Sequence, residues 1–274
     1  MQWIKSIYKF CSVNDYSLSN LKNNNLLCNH YAKFNDPFEC WCVINTGIPN
    51  HKTETERFLN VIAVWGFNPE RANDALEDYY DYLQHFEEDQ IDVGFHVNSA
   101  RICCFSSEDT NLLMWAHYGD GLRGFCIEFD LEALLLENQF DARIIDVNYS
   151  SIPPVLETIS YPLANDIYWH AEDEDSDKAV DYMTDFYSKM LASKPLQWQY
   201  EKEVRLIFHS KRVETEGEFY NYPQSAIKAI VIGEKMSEQD RNKIYEILKQ
   251  KEVKIPVRVA KRDKNSYNVS IHDT

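Results

Sequence analysis

The segment from Arg101 to Asp130 constrains the fold of this chain more than any other part of the sequence. It begins as a strand, reaches a polar turn, continues as a helix of about two turns, and ends in a second apolar strand. The turn is Ser106–Asp109, and Gly119, Gly121 and Gly124 allow the backbone to fold back after the helix. The pattern therefore predicts a strand–helix–strand unit.

The short helix of this unit carries side chains that a packing element does not need. Trp115, His117 and Tyr118 place an indole, an imidazole and a phenol beside the strand end, close to the hydroxyl of Ser106. This combination predicts a pocket for a flat, polar ligand. The alternative interpretation is a half-buried hairpin in which the His has no function.

Composition and charge exclude several classes of protein. The formal net charge of −16 argues against affinity built on nonspecific phosphate contacts, although a local basic patch would still admit a nucleic acid as substrate. The acidic stretches at Glu77–Asp89 and Glu172–Asp177 are interpreted as solvated faces, or alternatively as a face that docks a basic partner. No apolar run approaches the roughly 20 residues that cross a bilayer, and no secretory signal is recognised, so we expect a cytoplasmic protein without membrane association.

The cysteines indicate reduced thiols rather than a metal centre. There are seven of them, an odd number, and none forms a C-x-x-C pair. The histidines do not stand at zinc-like spacing from the cysteines, so no metal site is predicted. Mostly buried, reduced thiols are typical of a cytosolic protein.

Hydrophobic periodicity predicts one α+β domain over residues 1–274, with a mixed, mainly antiparallel sheet and a helical insertion at about residues 54–98. Helices are predicted after an Asn14 or Asp15 cap, from Thr55 to about Gln90 with a break at Asn68–Pro69, at Lys178–Ala192 and at Ser237–Lys249. Strands are predicted at Ile4–Phe10, Leu26–His30, Arg101–Phe105, Gly124–Phe129, Ala142–Tyr149, Glu203–His209, Ala226–Ile232 and Ile255–Ala260.

Two further motifs are candidates for chemistry. In F-N-D-P-F-E, Pro37 fixes the backbone directly after Asn35 and Asp36, so the loop either presents these side chains to a ligand or only clips a turn. In Q-Y-E-K-E-V-R-L, strand periodicity places Glu201, Glu203 and Arg205 on one face. The alternative for the second motif is an exposed, ion-paired edge strand.

The motifs together resemble a large bacterial family that is known only as a domain of unknown function. They are I-Y-K-F, S-L-S-N-L, F-N-D-P-F-E, a C-F-S-E-like turn, M-W-x-x-Y, G-x-C-I-x-F-D and a version of Y-E-K-E-W-R. The resemblance extends from residue 7 to about residue 232. Val204 departs from the pattern, because Trp is usual at that position.

The order of the motifs also resembles the ADP-ribosyltransferase fold, which has an aromatic or His strand first, a Ser/Thr or aromatic strand next and a Glu strand last. Glu-x-Glu at the start of a strand is an arrangement that NAD-consuming transferases use. The resemblance implies NAD as substrate and Glu203 as the catalytic residue that holds the ribose. It places Tyr8 near the nicotinamide ribose. It also implies that Glu201 orients or deprotonates the acceptor.

The same resemblance implies the ligand contacts and the biological setting. The Ser106–Tyr118 segment would line the nicotinamide pocket, with Trp115 or Tyr118 against the nicotinamide ring. Arg205 would offset the negative charge of the carboxylates or bind a phosphate. Related transferases are often toxins of toxin–antitoxin or antiphage systems, so an antitoxin or chaperone is an expected partner; the acceptor stays open between nucleic acid, protein and small molecule. The alternatives are a noncatalytic ligand sensor or interaction module, and a hydrolase that uses Glu203 and His117.

Overall fold

The computed structural model describes residues 6–64, 68–74, 76–136, 140–162, 164–165, 174–212 and 216–274. Its backbone contacts divide the chain into two compact units, where the sequence pattern indicated one domain. Unit 1 comprises Met1–Pro37, Asn98–Tyr149 and Leu196–Thr274; unit 2 comprises Phe38–Val97 and Ser150–Pro195. The insertion expected at about residues 54–98 thus falls almost wholly within the first segment of unit 2.

Strands and helices alternate irregularly along the chain. The strands are β1 Ser6–Cys11, β2 Asn25–Cys28, β3 Val43–Asn45, β4 Ala100–Ser106, β5 Phe125–Asp130, β6 Arg143–Asp146, β7 Asn148–Ser150, β8 Val155–Glu157, β9 Ser193–Pro195, β10 Glu203–His209, β11 Glu218–Asn221, β12 Ile227–Gly233, β13 Val257–Arg262 and β14 Val269–Asp273. The helices are α1 Asp15–Asn23, α2 Thr55–Val64, α3 Leu76–His85, α4 Val93–Ser99, α5 Leu112–His117, α6 Leu131–Leu134, α7 Glu174–Leu191 and α8 Glu238–Lys249.

An eight-stranded sheet forms the centre of unit 1. Its strand order is β14-β13-β12-β5-β1-β4-β10-β6. Neighbouring strands are antiparallel except β12 and β13, which are parallel and are connected through α8. The prediction of an α+β chain with a mainly antiparallel sheet is therefore confirmed.

The two faces of this sheet bury different sets of side chains. One face carries the larger core, in which Phe105 and Phe129 meet edge to face at 5.8 Å and α1, α6 and α8 contribute apolar residues. The other face is covered in part by α5, whose Met114 and Trp115 pack against β1. Because full burial of one large apolar side chain contributes about 1.5–3 kcal/mol, both layers help to hold the sheet.

Local sequence signals explain where the elements of unit 1 begin and end. Asn14 caps α1 in a capping box with Ser17, and Asn24 ends the helix in the left-handed region with φ 53°. Gly124 is required because a Cβ there would lie 2.2 Å from the carbonyl oxygen of Cys11. The predicted strand Ile4–Phe10 corresponds to β1, although Ile4 lies outside the described residues.

Unit 2 is built around helices α2 and α3 and the short strand pair β3–β8. Phe58 and Ile62 of α2 form a buried cluster with Tyr79 and Leu83 of α3. The helical pattern predicted from Thr55 to about Gln90, with a break at Asn68–Pro69, corresponds to α2 and α3 on either side of that break. Its positions Trp65 and Ala75 lie outside the described residues. Among the helices that the structure describes, none has the length and apolar character needed to span a bilayer.

Candidate functional site

Three of the predicted site residues stand in one row across the sheet of unit 1. Tyr8 of β1 lies opposite Ser106 of β4, and Ser106 lies opposite Glu203 of β10. Directly opposed residues of antiparallel strands share a face, so these three side chains point to the same side of the sheet. With adjacent strands about 4.8 Å apart, the row is about 10 Å long.

Glu203, the last residue of the row, forms a buried ion pair with Arg205. The Nε of Arg205 donates to Oε1 of Glu203 at 2.8 Å, and both side chains are buried. The predicted common face of these two residues is therefore correct. The alternative of an exposed edge strand is wrong, because β10 lies between β4 and β6.

Glu201 does not share the strand face with Glu203, which corrects the prediction. It ends a 3-10 helix, Leu196–Glu201, and Lys202 after it adopts the left-handed region with φ 47°. This kink turns the backbone before β10 begins, so strand periodicity does not apply across it. The side chain of Glu201 instead accepts a hydrogen bond from the hydroxyl of Tyr118 at 2.5 Å.

Several hydrogen bonds fasten the turn after β4 to the segment before β10. The hydroxyl of Ser106 donates to the carbonyl oxygen of Glu201 at 2.8 Å, and the amide of Ser107 donates to that of Lys202 at 2.9 Å. The side-chain amide of Asn111 donates to the carbonyl oxygen of Tyr200. The Ser106–Tyr118 segment and the Glu-x-Glu motif, distant in sequence, therefore form one site.

Helix α5 presents its aromatic residues differently from the prediction. Trp115 is fully buried, meets Phe10 edge to face at 5.1 Å, and donates through Nε1 to the carbonyl oxygen of Asp109 at 2.6 Å. Its indole has no exposed face on which a ligand could stack, so it supports the site from beneath. Tyr118 is half-buried, whereas His117 is exposed with its ring 5.9 Å from that of Tyr200.

The phenol of Tyr8 stays protonated well above neutral pH. Burial, the charge of Asp109 and the charge of Glu128 raise the pKa of Tyr8 to about 12. Burial also raises the pKa of Asp109. Tyr8 is half-buried, so its hydroxyl is a neutral hydrogen-bond donor at the end of the row.

Asn35 and Asp36 lie on the connection between a 3-10 helix, Tyr31–Lys33, and the start of unit 2. They are not on the strands that carry the row. Asn35 is exposed and Asp36 is buried. The two neighbouring polar residues therefore have different environments, and only Asn35 presents its side chain to solvent.

Glu128 extends the row and was missed from the sequence. It lies opposite Tyr8 on β5, and its carboxylate accepts hydrogen bonds from Arg258 and Ser6, both at 2.9 Å, while Lys228 lies 3.5 Å away. The sequence signal was present, because Glu128 is a charged residue inside the apolar strand F-C-I-E-F. The sequence alone did not reveal its basic neighbours, which lie on β12 and β13.

Thiols and an amine occupy the opposite face of the sheet. The ammonium group of Lys9 donates to the carbonyl oxygen of Cys104 at 2.8 Å. The hydrogen bond from Cys28, together with the charge of Lys9, lowers the pKa of Cys103 to about 7 against the effect of burial. None of the seven cysteines, all of which the structure describes, forms a disulfide bond. Within the described ranges no group of three or more His, Cys, Asp or Glu side chains could hold a metal ion.

Comparison with known proteins gives a match to one family model over part of the chain. Residues 114–206 match a family model described as a protein of unknown function, DUF2971. The matched segment begins in α5 and ends in β10, so it includes Tyr118, Glu201 and Glu203 but not Tyr8 or Ser106. No curated protein matches the chain, and no solved structure matches it.

Proposed function

We propose that the protein is an NAD-dependent ADP-ribosyltransferase that acts as a bacterial toxin or antiphage defence effector. The observation that carries the proposal is the row of Tyr8, Ser106 and Glu203 on three adjacent strands. An aromatic strand, a Ser strand and a Glu strand in this order are what the resemblance to the ADP-ribosyltransferase fold implies. Here they come together on one face of one sheet.

The chemistry proposed for the row follows from charge. Breaking the bond between nicotinamide and ribose develops oxocarbenium character on the sugar, as glycosidic cleavage does. The carboxylate of Glu203 would accept a hydrogen bond from a ribose hydroxyl and stabilise this positive charge. Arg205 donates a hydrogen bond to the carboxylate at 2.8 Å and fixes its position.

Other residues of the site would hold the ligand and the acceptor. Tyr8, neutral to high pH, would donate a hydrogen bond to the sugar, and the half-buried ring of Tyr118 would contact the nicotinamide. Glu201 would orient or deprotonate the acceptor, and Tyr118 fixes the position of its carboxylate. Because Glu203 is buried, the proposal includes an opening of the site before NAD binds.

Release of nicotinamide tests the proposal directly. The protein is incubated with NAD, and free nicotinamide is measured by mass spectrometry with protein, RNA and DNA as acceptors. Glu203→Gln should lower the rate by about 100-fold or more, on the order of 3 kcal/mol in transition-state stabilisation. Glu157→Gln is the matched control, because it also turns an arginine-bound carboxylate into an amide, but in unit 2.

The Glu157→Gln control is also needed because Glu203→Gln changes the stability of the protein. An amide at position 203 removes the negative charge that pairs with buried Arg205, so Glu203→Gln also lowers stability. The rates are therefore compared well below the melting temperature of each variant. Equal nicotinamide release by Glu203→Gln and the wild type would overturn the assignment of Glu203.

A noncatalytic ligand-binding or interaction module is the second candidate. The observation that favours it is the ion pair itself, because a carboxylate that is buried and bonded by Arg205 also serves to hold β10 in the sheet. NAD binding measured by calorimetry, without nicotinamide release under any acceptor condition, would select this function over the transferase.

A further inference from the structure

The net negative charge of the protein is concentrated in unit 2, because this unit has few basic residues. This unit holds 21 of the 44 Asp and Glu residues but only 6 of the 28 Lys and Arg residues. Its formal net charge is therefore −15, which leaves −1 of the total of −16 for unit 1. Nearly all of the net charge therefore lies outside unit 1, which carries the row of Tyr8, Ser106 and Glu203.

Unit 2 also exposes large apolar side chains. Phe38 and Trp41 are 53% and 59% exposed, and their rings meet edge to face at 6.2 Å. Val43 and Val155 are 45% and 48% exposed and lie opposite each other in the β3–β8 pair. The two pairs follow each other along the chain at Trp41 and Val43, and their four residues are together called the aromatic patch below.

Local structure keeps the aromatic patch in place. The amide of Trp41 donates to the carbonyl oxygen of Phe38 at 3.1 Å, which closes the turn between the two rings. The amide of Val43 donates to the carbonyl oxygen of Pro154 at 2.9 Å, which joins the two segments of unit 2. The backbone that carries these side chains is therefore ordered before a partner binds, which lowers the entropy cost of binding.

We propose that the aromatic patch of unit 2 is the docking surface for a basic protein segment that carries an apolar stripe. Exposed clusters of apolar residues mark interaction sites, and Trp and Phe are enriched at the centres of protein interfaces. The charge of −15 selects the partner by complementarity, because it attracts cationic segments and repels nucleic acids and anionic membrane surfaces. The docking does not depend on the transferase activity proposed above.

Binding of a synthetic peptide tests the docking surface. The probe is a fluorescently labelled helical peptide of Lys and Leu, with Leu at i, i+3, i+4 and i+7 to form one apolar stripe. A scrambled peptide of the same composition has equal charge but no stripe. We expect the striped peptide to bind at about 0.15 M ionic strength and the scrambled peptide to bind at least tenfold more weakly, since the Debye length there is about 8 Å.

Variants of the patch separate docking from simple charge attraction. Trp41→Ala should weaken binding of the striped peptide by about 30-fold, which is the effect of losing one interface hot spot. Tyr267→Ala in unit 1 is the matched control, because Tyr267 is an aromatic residue that is 96% exposed. The Tyr267→Ala variant should bind the striped peptide as tightly as the wild type does. Both substitutions are at exposed positions, and unchanged melting temperatures verify that the variants fold.

A measurement on the wild type makes the test independent of any variant. Of the described tryptophans, Trp115 is buried and Trp198 is half-buried, so Trp41 is the most accessible to acrylamide. The striped peptide should reduce the quenching of the total tryptophan fluorescence of the wild type, and the scrambled peptide should not. Equal binding of both peptides, unaltered binding by Trp41→Ala, or preferential binding of single-stranded DNA or of phosphatidylglycerol vesicles would each overturn the proposal.

Discussion

Replacing Arg205 with Met would test whether the buried ion pair holds β10 in the sheet. The substitution keeps most of the side-chain volume but removes the guanidinium that bonds Glu203 at 2.8 Å. The two side chains are 0% and 2% exposed, so water does not screen the charge that stays on Glu203. The variant must either keep a buried carboxylate without this cation or protonate it.

The expected loss follows from this burial. Removing one partner of a buried ion pair destabilises a protein by about 3–5 kcal/mol, because the remaining charge is left desolvated. In a unit of this size, each 1 kcal/mol corresponds to about 2–4 °C in melting temperature. Arg205→Met should therefore melt roughly 6–20 °C below the wild type.

Thermal and urea unfolding of a double-mutant cycle provide the assay. The double variant Glu203→Leu/Arg205→Met removes both charges and should recover most of the loss, because apolar residues of similar volume commonly replace a buried pair without cost. Arg258→Met is the matched control. Arg258 also bonds a sheet carboxylate at 2.9 Å, but it is 35% exposed, and Glu128 keeps Lys228 and Ser6 as neighbours, so the loss should be clearly smaller.

Two results would refute this reasoning. If Arg205→Met has the same melting temperature as the wild type, the ion pair contributes nothing to the stability of the fold despite its burial. If the double variant is as unstable as Arg205→Met, the loss comes from packing around position 205 and not from an uncompensated charge.

Three further changes test other parts of the structure. Trp115→Ala should lower the free energy of unfolding by about 3–5 kcal/mol, because the indole is fully buried against Phe10; a smaller loss in urea unfolding would contradict this packing. Asn35→Ala should melt like the wild type, whereas Asp36→Ala should lose about 1–3 kcal/mol as a buried polar residue, and equal melting of the two would remove the distinction. The pKa of Tyr8 is raised to about 12, so between pH 10 and pH 12 the unfolded chain loses a proton that the folded chain keeps. The free energy of unfolding should therefore fall between pH 10 and pH 12, and it should fall less in the Tyr8→Phe variant.

Most elements of the sheet were predictable because their signals are local. The strand Glu203–His209 has the predicted bounds, and β4, β5 and β12 differ from the prediction by one residue at most at each end. The cap of α1 is Asn14, one of the two predicted candidates, and α8 begins one residue after its predicted start at Ser237. Apolar periodicity and capping side chains act within a few residues, so one sequence is enough to read them.

The predictions were wrong where the backbone changes direction without a clear local signal. Strand periodicity assigned Glu201 to the face of Glu203, but the left-handed conformation of Lys202 intervenes. Strands β11 and β14 were not predicted. The division into two units also escaped prediction, because segments 38–97 and 150–195 are far apart along the chain.

The sequence by itself determined which chemical groups the site contains: a Tyr strand, a polar turn with Ser106, an aromatic helix and a Glu-x-Glu motif. Only the tertiary structure decided that Tyr8, Ser106 and Glu203 lie in one row, because strand order and register depend on pairing between residues nearly 100 positions apart. It also decided that Trp115 is buried while Tyr118 is half-buried. Burial depends on which elements cover a side chain, and long-range packing selects those elements.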